Sequence, residues 1–280
     1  MKKIIVTGCN GQLGKAVNKI YENSQEYQCV NTDVAELDIT NINAVLKFVE
    51  EVQPYAIINC AAHTGVDACE TDRDNAYRIN AVGPRNLSIA ATKTGAKIIH
   101  ISTDYIFPGD GVRPYTEFDT PGPKGMYGAT KLEGENFVRE FADKYFIIRT
   151  AWLYGDGKNF VKTMLRLSET NDKVRVVGDQ YGTPTSASEL AKAIAYLLPT
   201  ENYGLFHGTC EGSCNWAEFA EEIFRLGGKK TVVEAITTEE FAAPAPRPAY
   251  SIMDNYMFKL TTDFQFADWK DAIAEYMKTL

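Results

Sequence analysis

The chain has 280 residues, 45% hydrophobic and 24% charged, which is enough apolar material for a sizeable core and too little polar bias for disorder. Its 29 Lys+Arg and 37 Asp+Glu leave a net charge of −8 with no long basic run, so bulk attraction to a nucleic acid polymer is excluded. No stretch of about 18 apolar residues exists, and Met1 to Val6 meets Gly8 before a signal-peptide core is formed, which argues against membrane spanning and secretion.

Lys3 to Thr7 is a short β-branched run that stops at Gly8; Gly11 and Gly14 follow, then a helical pattern through Val17 and Ile20. The order strand, tight turn, helix turns a weak glycine pattern into a cofactor signal. Glycines admit a pyrophosphate close to backbone N–H groups, and the helix N-terminus adds partial positive charge. The spacing in Thr7-Gly8-Cys9-Asn10-Gly11-Gln12-Leu13-Gly14 is G-x-x-G-x-x-G. A second strand, Gln28 to Thr32, ends at Asp33, about 20 residues past the turn, where a carboxylate accepts hydrogen bonds from an adenosine ribose and repels a 2′-phosphate. NADH is therefore expected to bind at least as well as NADPH, with Asp38 as an adenine-side neighbour.

A helix over Asn41 to Val52 leads through Pro54 to a third strand, Ala56 to Cys60, and Asp74 to Thr94 reads as one long helix closed by Gly95. Lys97 to Ser102 is the next strand. This alternation predicts an α/β fold, a doubly wound parallel (Rossmann) sheet. Residues Tyr105 to Gly125 are rich in Pro and Gly and predict a long irregular loop over the strand ends. Helix over Met126 to Asp143 and strand over Phe146 to Thr150 complete the pattern. Beyond it, helix Phe160 to Glu169, strand Val174 to Val177, helix Ser188 to Leu198 and a tail with Pro244, Pro246 and Pro248 suggest a smaller lobe. The division expected is a dinucleotide-binding domain over 1–155 and a mainly substrate-binding lobe over 156–280, its boundary interleaved with segments returning to the sheet.

Tyr127 and Lys131 stand four apart, on one helix face. A free phenol has a pKa of about 10, and a nearby ammonium is expected to lower it, so that the pair exchanges a proton with a carbonyl oxygen as hydride reaches carbon. Y-x-x-x-K is common on helices; the glycine turn, and Ser102-Thr103-Asp104 at the end of a parallel strand, give it weight. Thr103 is placed to donate a hydrogen bond to the same oxygen. Ser102 competes for that role, and strand alternation sends the two to opposite faces.

Six cysteines at irregular spacing, with no CxxC pair, suit a reducing cytoplasm. His207, Cys210 and Cys214 lie close in sequence without an obvious fourth ligand, so no metal site is assigned.

Seven segments together resemble the dTDP-4-dehydrorhamnose reductases, extended short-chain dehydrogenases/reductases, nearly end to end: TGCNGQLG (Thr7 to Gly14), NCAAHTGVDACE (Asn59 to Glu70), STDYIFPGDG (Ser102 to Gly111), YGATKLEGE (Tyr127 to Glu135), IIRTAWLYG (Ile147 to Gly155), DQYGTPT (Asp179 to Thr185) and RPAYSIMD (Arg247 to Asp254). The early motifs are shared with sugar-nucleotide epimerases and dehydratases; STDYIF, RTAWLYG, DQYGTPT and RPAYS are more specific.

The resemblance implies reduction of the C4 ketone of dTDP-4-dehydro-L-rhamnose to dTDP-L-rhamnose for cell-surface polysaccharide, with Thr103, Tyr127 and Lys131 as the catalytic set and Lys131 also holding the nicotinamide ribose. It implies that Gly11, Gln12 and Leu13 meet the pyrophosphate in a cofactor-binding turn that includes Gly8 and Gly14, that Ala61, Ala62 and Thr64 line the cofactor, that Asp104 and Trp152 face the sugar, and that Arg247 binds the nucleotide diphosphate. His63 is read as structural. Some relatives carry an acidic residue after the glycine turn that helps bind a metal ion between subunits; Lys15 stands here and repels a cation. A homodimer is left open and a metal-bridged one disfavoured. Two alternatives are an epimerase or dehydratase that retains NAD, and a non-catalytic nucleotide-binding regulatory subunit of the same fold.

Overall fold

A computed structural model describes all residues from Met1 to Leu280. Six parallel strands form the central sheet: β1 (Lys2–Thr7), β2 (Tyr27–Thr32), β3 (Ala56–Asn59), β4 (Lys97–Thr103), β5 (Tyr145–Thr150) and β6 (Gly204–His207), in the order β6-β5-β4-β3-β1-β2. The order reverses at β1. Strands laid on either side of that point leave a crevice beyond their carboxyl ends, where doubly wound sheets bind ligands.

Alternating residues of the strands face two different layers. Ile4, Val6, Ile58, Ile99 and Ile148 pack with α1 (Gln12–Tyr21) and, from far along the chain, the helix Ala187–Leu197. Ile5, Ile57, Ile98 and Ile147 face α2 (Ile42–Val52), α3 (Gly83–Thr94) and α4 (Met126–Phe141). Period-two alternation with apolar residues on both faces is the mark of a strand buried on both sides. Each such side chain contributes about 1.5–3 kcal/mol by burial.

The stretch expected as one helix from Asp74 to Thr94 is interrupted. It runs as a short α-helix Arg73–Tyr77, a π turn Arg78–Val82 and then α3, preceded by a separate helix Val66–Thr71. Pro84 has no N–H to give the carbonyl of Asn80, and Gly83 bonds back to Arg78 instead, which widens the turn. The displaced Asn80 carbonyl packs against Gly134 of α4, where no Cβ fits. The widened turn thereby brings α4 close to the segment after β3.

Residues after Ala151 build a second core around Tyr154, Val161, Val176, Phe219, Ile223 and Trp269. The strand expected at Val174 to Val177 lies here, outside the main sheet, pairing in parallel with Val232–Ile236. By contrast Ala187–Leu197 and β6 return to the first layer. The Pro- and Gly-rich stretch after β4 opens with a 3-10 turn, Asp104–Ile106, and then makes only isolated bridges, Asp110 to Tyr250 and Tyr115 to Met253. No helix is long and apolar enough to cross a membrane.

Candidate active site

A cavity of about 1010 Å³ runs along the carboxyl ends of β1, β3 and β4 and extends to the second lobe. At one end sits the glycine turn. Gly8 has φ +63°, a left-handed conformation that favours glycine, and a Cβ on Gly14 would strike the Gly8 carbonyl and the Cys9 backbone. Gly11 caps α1 without a side chain, so the first N–H groups of that helix stay available to an anion. Leu13 packs into the core, while the Gln12 side-chain oxygen accepts from Gly155 N at 2.7 Å.

Asp33 closes β2 beside this turn, its carboxylate accepting from Asn10 N at 3.3 Å and Val34 N at 2.9 Å. Asp38 accepts from the backbone and hydroxyl of Thr40, at 2.9 and 2.7 Å. Both line the cavity, as do Ala61, Ala62 and Thr64 after β3. That loop is fixed by Asn80, which accepts from His63 N at 2.8 Å and donates to Thr130 on α4 at 3.2 Å. His63 takes hydrogen bonds within its own loop, from Gly65 N at 3.3 Å. A hydrogen-bonded structural role accounts for it.

The middle of the cavity holds Thr103, Asp104, Tyr127 and Lys131. Thr103 ends β4 and donates to Asp104 Oδ1 at 2.9 Å, while Ser102 turns the other way and donates to Glu135 at 2.5 Å. The other Asp104 oxygen, Oδ2, is buried without a hydrogen bond, and burial pushes this carboxyl up to about 6 against the pull of the Ser251 and Thr103 hydroxyls. Tyr127 lies half-buried, edge-on to Tyr105 with ring centroids 5.4 Å apart. Lys131, one turn on, is buried and donates to the Ile101 carbonyl at 2.5 Å. Burial pulls its ammonium down to about 8, opposed by Glu135 and Cys60.

The expected lowering of the Tyr127 pKa by Lys131 is not what this arrangement gives. Burial raises the phenol above its ordinary value, and the group pulling it down is the Thr103 hydroxyl. Tyr127 is therefore a neutral phenol at neutral pH, the protonation state a proton donor needs.

The profile of the family described as "RmlD substrate binding domain" matches residues 1–280. Among solved structures, a dTDP-4-dehydrorhamnose reductase from Clostridium acetobutylicum is 52% identical and superposes with a TM-score of 0.97, over 99% of each chain. The chain belongs to the dTDP-4-dehydrorhamnose reductase family. The Bacillus anthracis reductase, solved in complex with NADP, is 45% identical with a TM-score of 0.98 over 100% of each chain. The spore coat polysaccharide biosynthesis protein SpsK of Bacillus subtilis is 38% identical over 279 residues, 99% of this chain and 98% of its own length. This is a family of NAD(P)H-dependent oxidoreductases, and the cleft along the strand ends fits a dinucleotide on this chain's own features. The turn is built on glycines, the start of α1 is uncapped, and the volume lies at the upper end for small-molecule pockets.

Trp152 lines the cavity beyond Thr103. Arg247 reaches it from the tail, but its guanidinium is held by both Asp67 oxygens, each at 3.0 Å, and by Tyr105 Oη at 3.2 Å. Lys15 pairs with Asp156 at 3.0 Å on the surface. His207 is buried with Nδ1 3.0 Å from the Asp254 carbonyl, and Cys210 and Cys214 lie in the second core; no group of three or more His, Cys, Asp or Glu side chains is arranged to hold a metal ion.

Two further residues shape the site without a local sequence signal. Trp216 shares the cavity wall with Trp152; the capping pair Asn215 and Glu218 marks it as the first residue of its helix but says nothing of its distant neighbour. Glu70 accepts from Met126 N at 2.7 Å, capping the helix that carries Tyr127 and Lys131 from 56 residues away. No local pattern announces a cap supplied by another helix.

Proposed function

We propose that this chain reduces the C4 ketone of dTDP-4-dehydro-L-rhamnose to dTDP-L-rhamnose. The observation that carries the reading is the meeting of Thr103, Asp104, Tyr127 and Lys131 in one cavity with the glycine turn. A reduced nicotinamide, when bound, supplies the hydride. Tyr127 gives its phenolic proton to the ketone oxygen, and Thr103 turns its single hydroxyl proton from Asp104 Oδ1 to that oxygen as it gains charge. Lys131 holds the nicotinamide ribose. Asp104, which lines the cavity beside Thr103, accepts from a sugar hydroxyl. Gly8, Gly11, Gln12, Leu13 and Gly14 receive the pyrophosphate through backbone groups; Ala61, Ala62, Thr64 and Asp38 line the cofactor; Trp152 faces the sugar. Arg247 serves the nucleotide diphosphate from its position on Asp67.

Asp33 accepts from the adenosine ribose and disfavours a 2′-phosphate, so NADH serves at least as well as NADPH. A metal-bridged homodimer is disfavoured by Lys15, whose ammonium repels a cation. The test is oxidation of NADH and NADPH followed by absorbance over a panel of 4-keto-sugar nucleotides. One cofactor is consumed per dTDP-4-dehydro-L-rhamnose reduced. Turnover without added reductant would point to an epimerase or dehydratase, and binding without oxidation to a regulatory subunit.

A further inference from the structure

Trp152, just after β5, has φ +48°, a backbone conformation that a bulky side chain keeps only where its surroundings hold it. Two neighbours from distant parts of the chain do so. The indole of Trp216 lies flat on that of Trp152, with centroids 3.5 Å apart and planes at 9°, and is itself backed by Phe160 at 4.7 Å. At the edge of the Trp152 ring, Gly182 brings bare backbone so near that a Cβ would stand 2.5 to 2.7 Å from Cε2, Cζ2 and Nε1. Both indoles line the cavity that contains Thr103 and Tyr127.

An indole held flat by a second one is a rigid apolar surface, suited to a sugar's C–H face and methyl group rather than to its hydroxyls. We propose that Trp216 is a specificity-determining residue which, with Gly182, fixes Trp152 and completes an indole wall for the apolar face of the 6-deoxyhexose. The proposal rests on the reading of the site as a deoxysugar-nucleotide reductase. Misplacing the wall weakens sugar binding while the cofactor end, built on the glycine turn, is untouched.

Trp216→Ala, Trp216→Phe and Gly182→Ala are compared with the wild type by steady-state kinetics and far-UV circular dichroism. Wild-type oxidation of NADPH with dTDP-4-dehydro-L-rhamnose tests the underlying reading by itself, and an exciton couplet from the stacked indoles tests the stack whether or not turnover is seen. Trp216→Ala loses the couplet and raises the KM for the sugar nucleotide about tenfold, the scale of a lost apolar contact. The KM for NADPH stays within about threefold and kcat falls less than the sugar KM rises. Gly182→Ala has the same direction of effect without touching Trp216, and Trp216→Phe, which keeps an aromatic plate, recovers most of the sugar KM. An unchanged sugar KM in Trp216→Ala, or equal losses toward sugar and cofactor in all three variants, overturns the proposal. If Trp216→Ala does not fold, the other two variants decide it by the same criteria.

Discussion

Two buried carboxylates flank the junction of β4 and α4, and they are treated in opposite ways. On the inner side, Glu135 accepts from Ser102 at 2.5 Å, from Arg149 at 2.9 and 2.8 Å and from Arg139 at 2.8 Å. Burial alone would push its carboxyl up, yet Arg149, Ser102 and Arg139 hold it below the usual carboxylate range. On the cavity side, Asp104 is just as buried, has the Thr103 hydroxyl on Oδ1, no donor within hydrogen-bond distance of Oδ2 and only the nearby Ser251 hydroxyl to help, and stands at about 6. Depth does not separate the two. The number of donors does, and it divides a group that fixes the scaffold from one left ready for a ligand.

The largest effect expected on the cavity side is that of Tyr127→Phe, which removes the proton donor and lowers turnover about 10²- to 10⁴-fold with cofactor binding retained; single-turnover rates and a cofactor titration check both halves. On the inner side, Glu135→Ala strands the buried Arg149 guanidinium and costs about 3–5 kcal/mol of stability by denaturant unfolding. Asp104→Asn reverses that pattern. It lowers kcat/KM about 10- to 100-fold, the scale of a hydrogen bond to a charged group, and leaves the unfolding midpoint unchanged or raised. A stability loss in Asp104→Asn as large as that in Glu135→Ala would break the distinction.

Titration sharpens the contrast because the two groups act with opposite sign. Asp104 binds its proton more tightly folded than unfolded, so its contribution is complete below its ordinary value of 3.8 and is lost as pH rises through about 6. Glu135 is lowered from 4.5, so its contribution is present above that value and is lost as pH falls. The stability profile of Asp104→Asn therefore lacks the decline between about pH 4 and 6, and that of a Glu135 variant lacks part of the acid limb. The smallest effect is kinetic: Lys131 loses its charge as pH rises through about 8, and kcat/KM declines there.

Much of the cofactor half was legible in the sequence because its signals are local. A β-branched run, a glycine turn and a helix lie within Lys3 to Ile20, and Tyr127 and Lys131 share a helix face by spacing alone. Strand alternation also sorted Ser102 from Thr103, which the structure sends to Glu135 and Asp104. The rest depends on contacts between distant segments. Trp152 meets Trp216 and Gly182, Arg247 meets Asp67, and Glu70 caps a helix in another part of the chain. The sign of the Tyr127 shift was missed for a related reason: spacing predicts a neighbouring charge, whereas burial depends on everything packed around the ring. The break at Pro84 was open to a stricter reading, since a proline inside a helical pattern removes a hydrogen bond wherever it falls.

The most direct test of ketone reduction at this site uses a nicotinamide cofactor carrying deuterium at the transferable C4 position, with dTDP-4-dehydro-L-rhamnose and the intact chain. One deuterium is expected at C4 of dTDP-L-rhamnose for each cofactor oxidised, with that transfer slowed in Tyr127→Phe. Unlabelled product, or sugar conversion with no cofactor consumed, would contradict it.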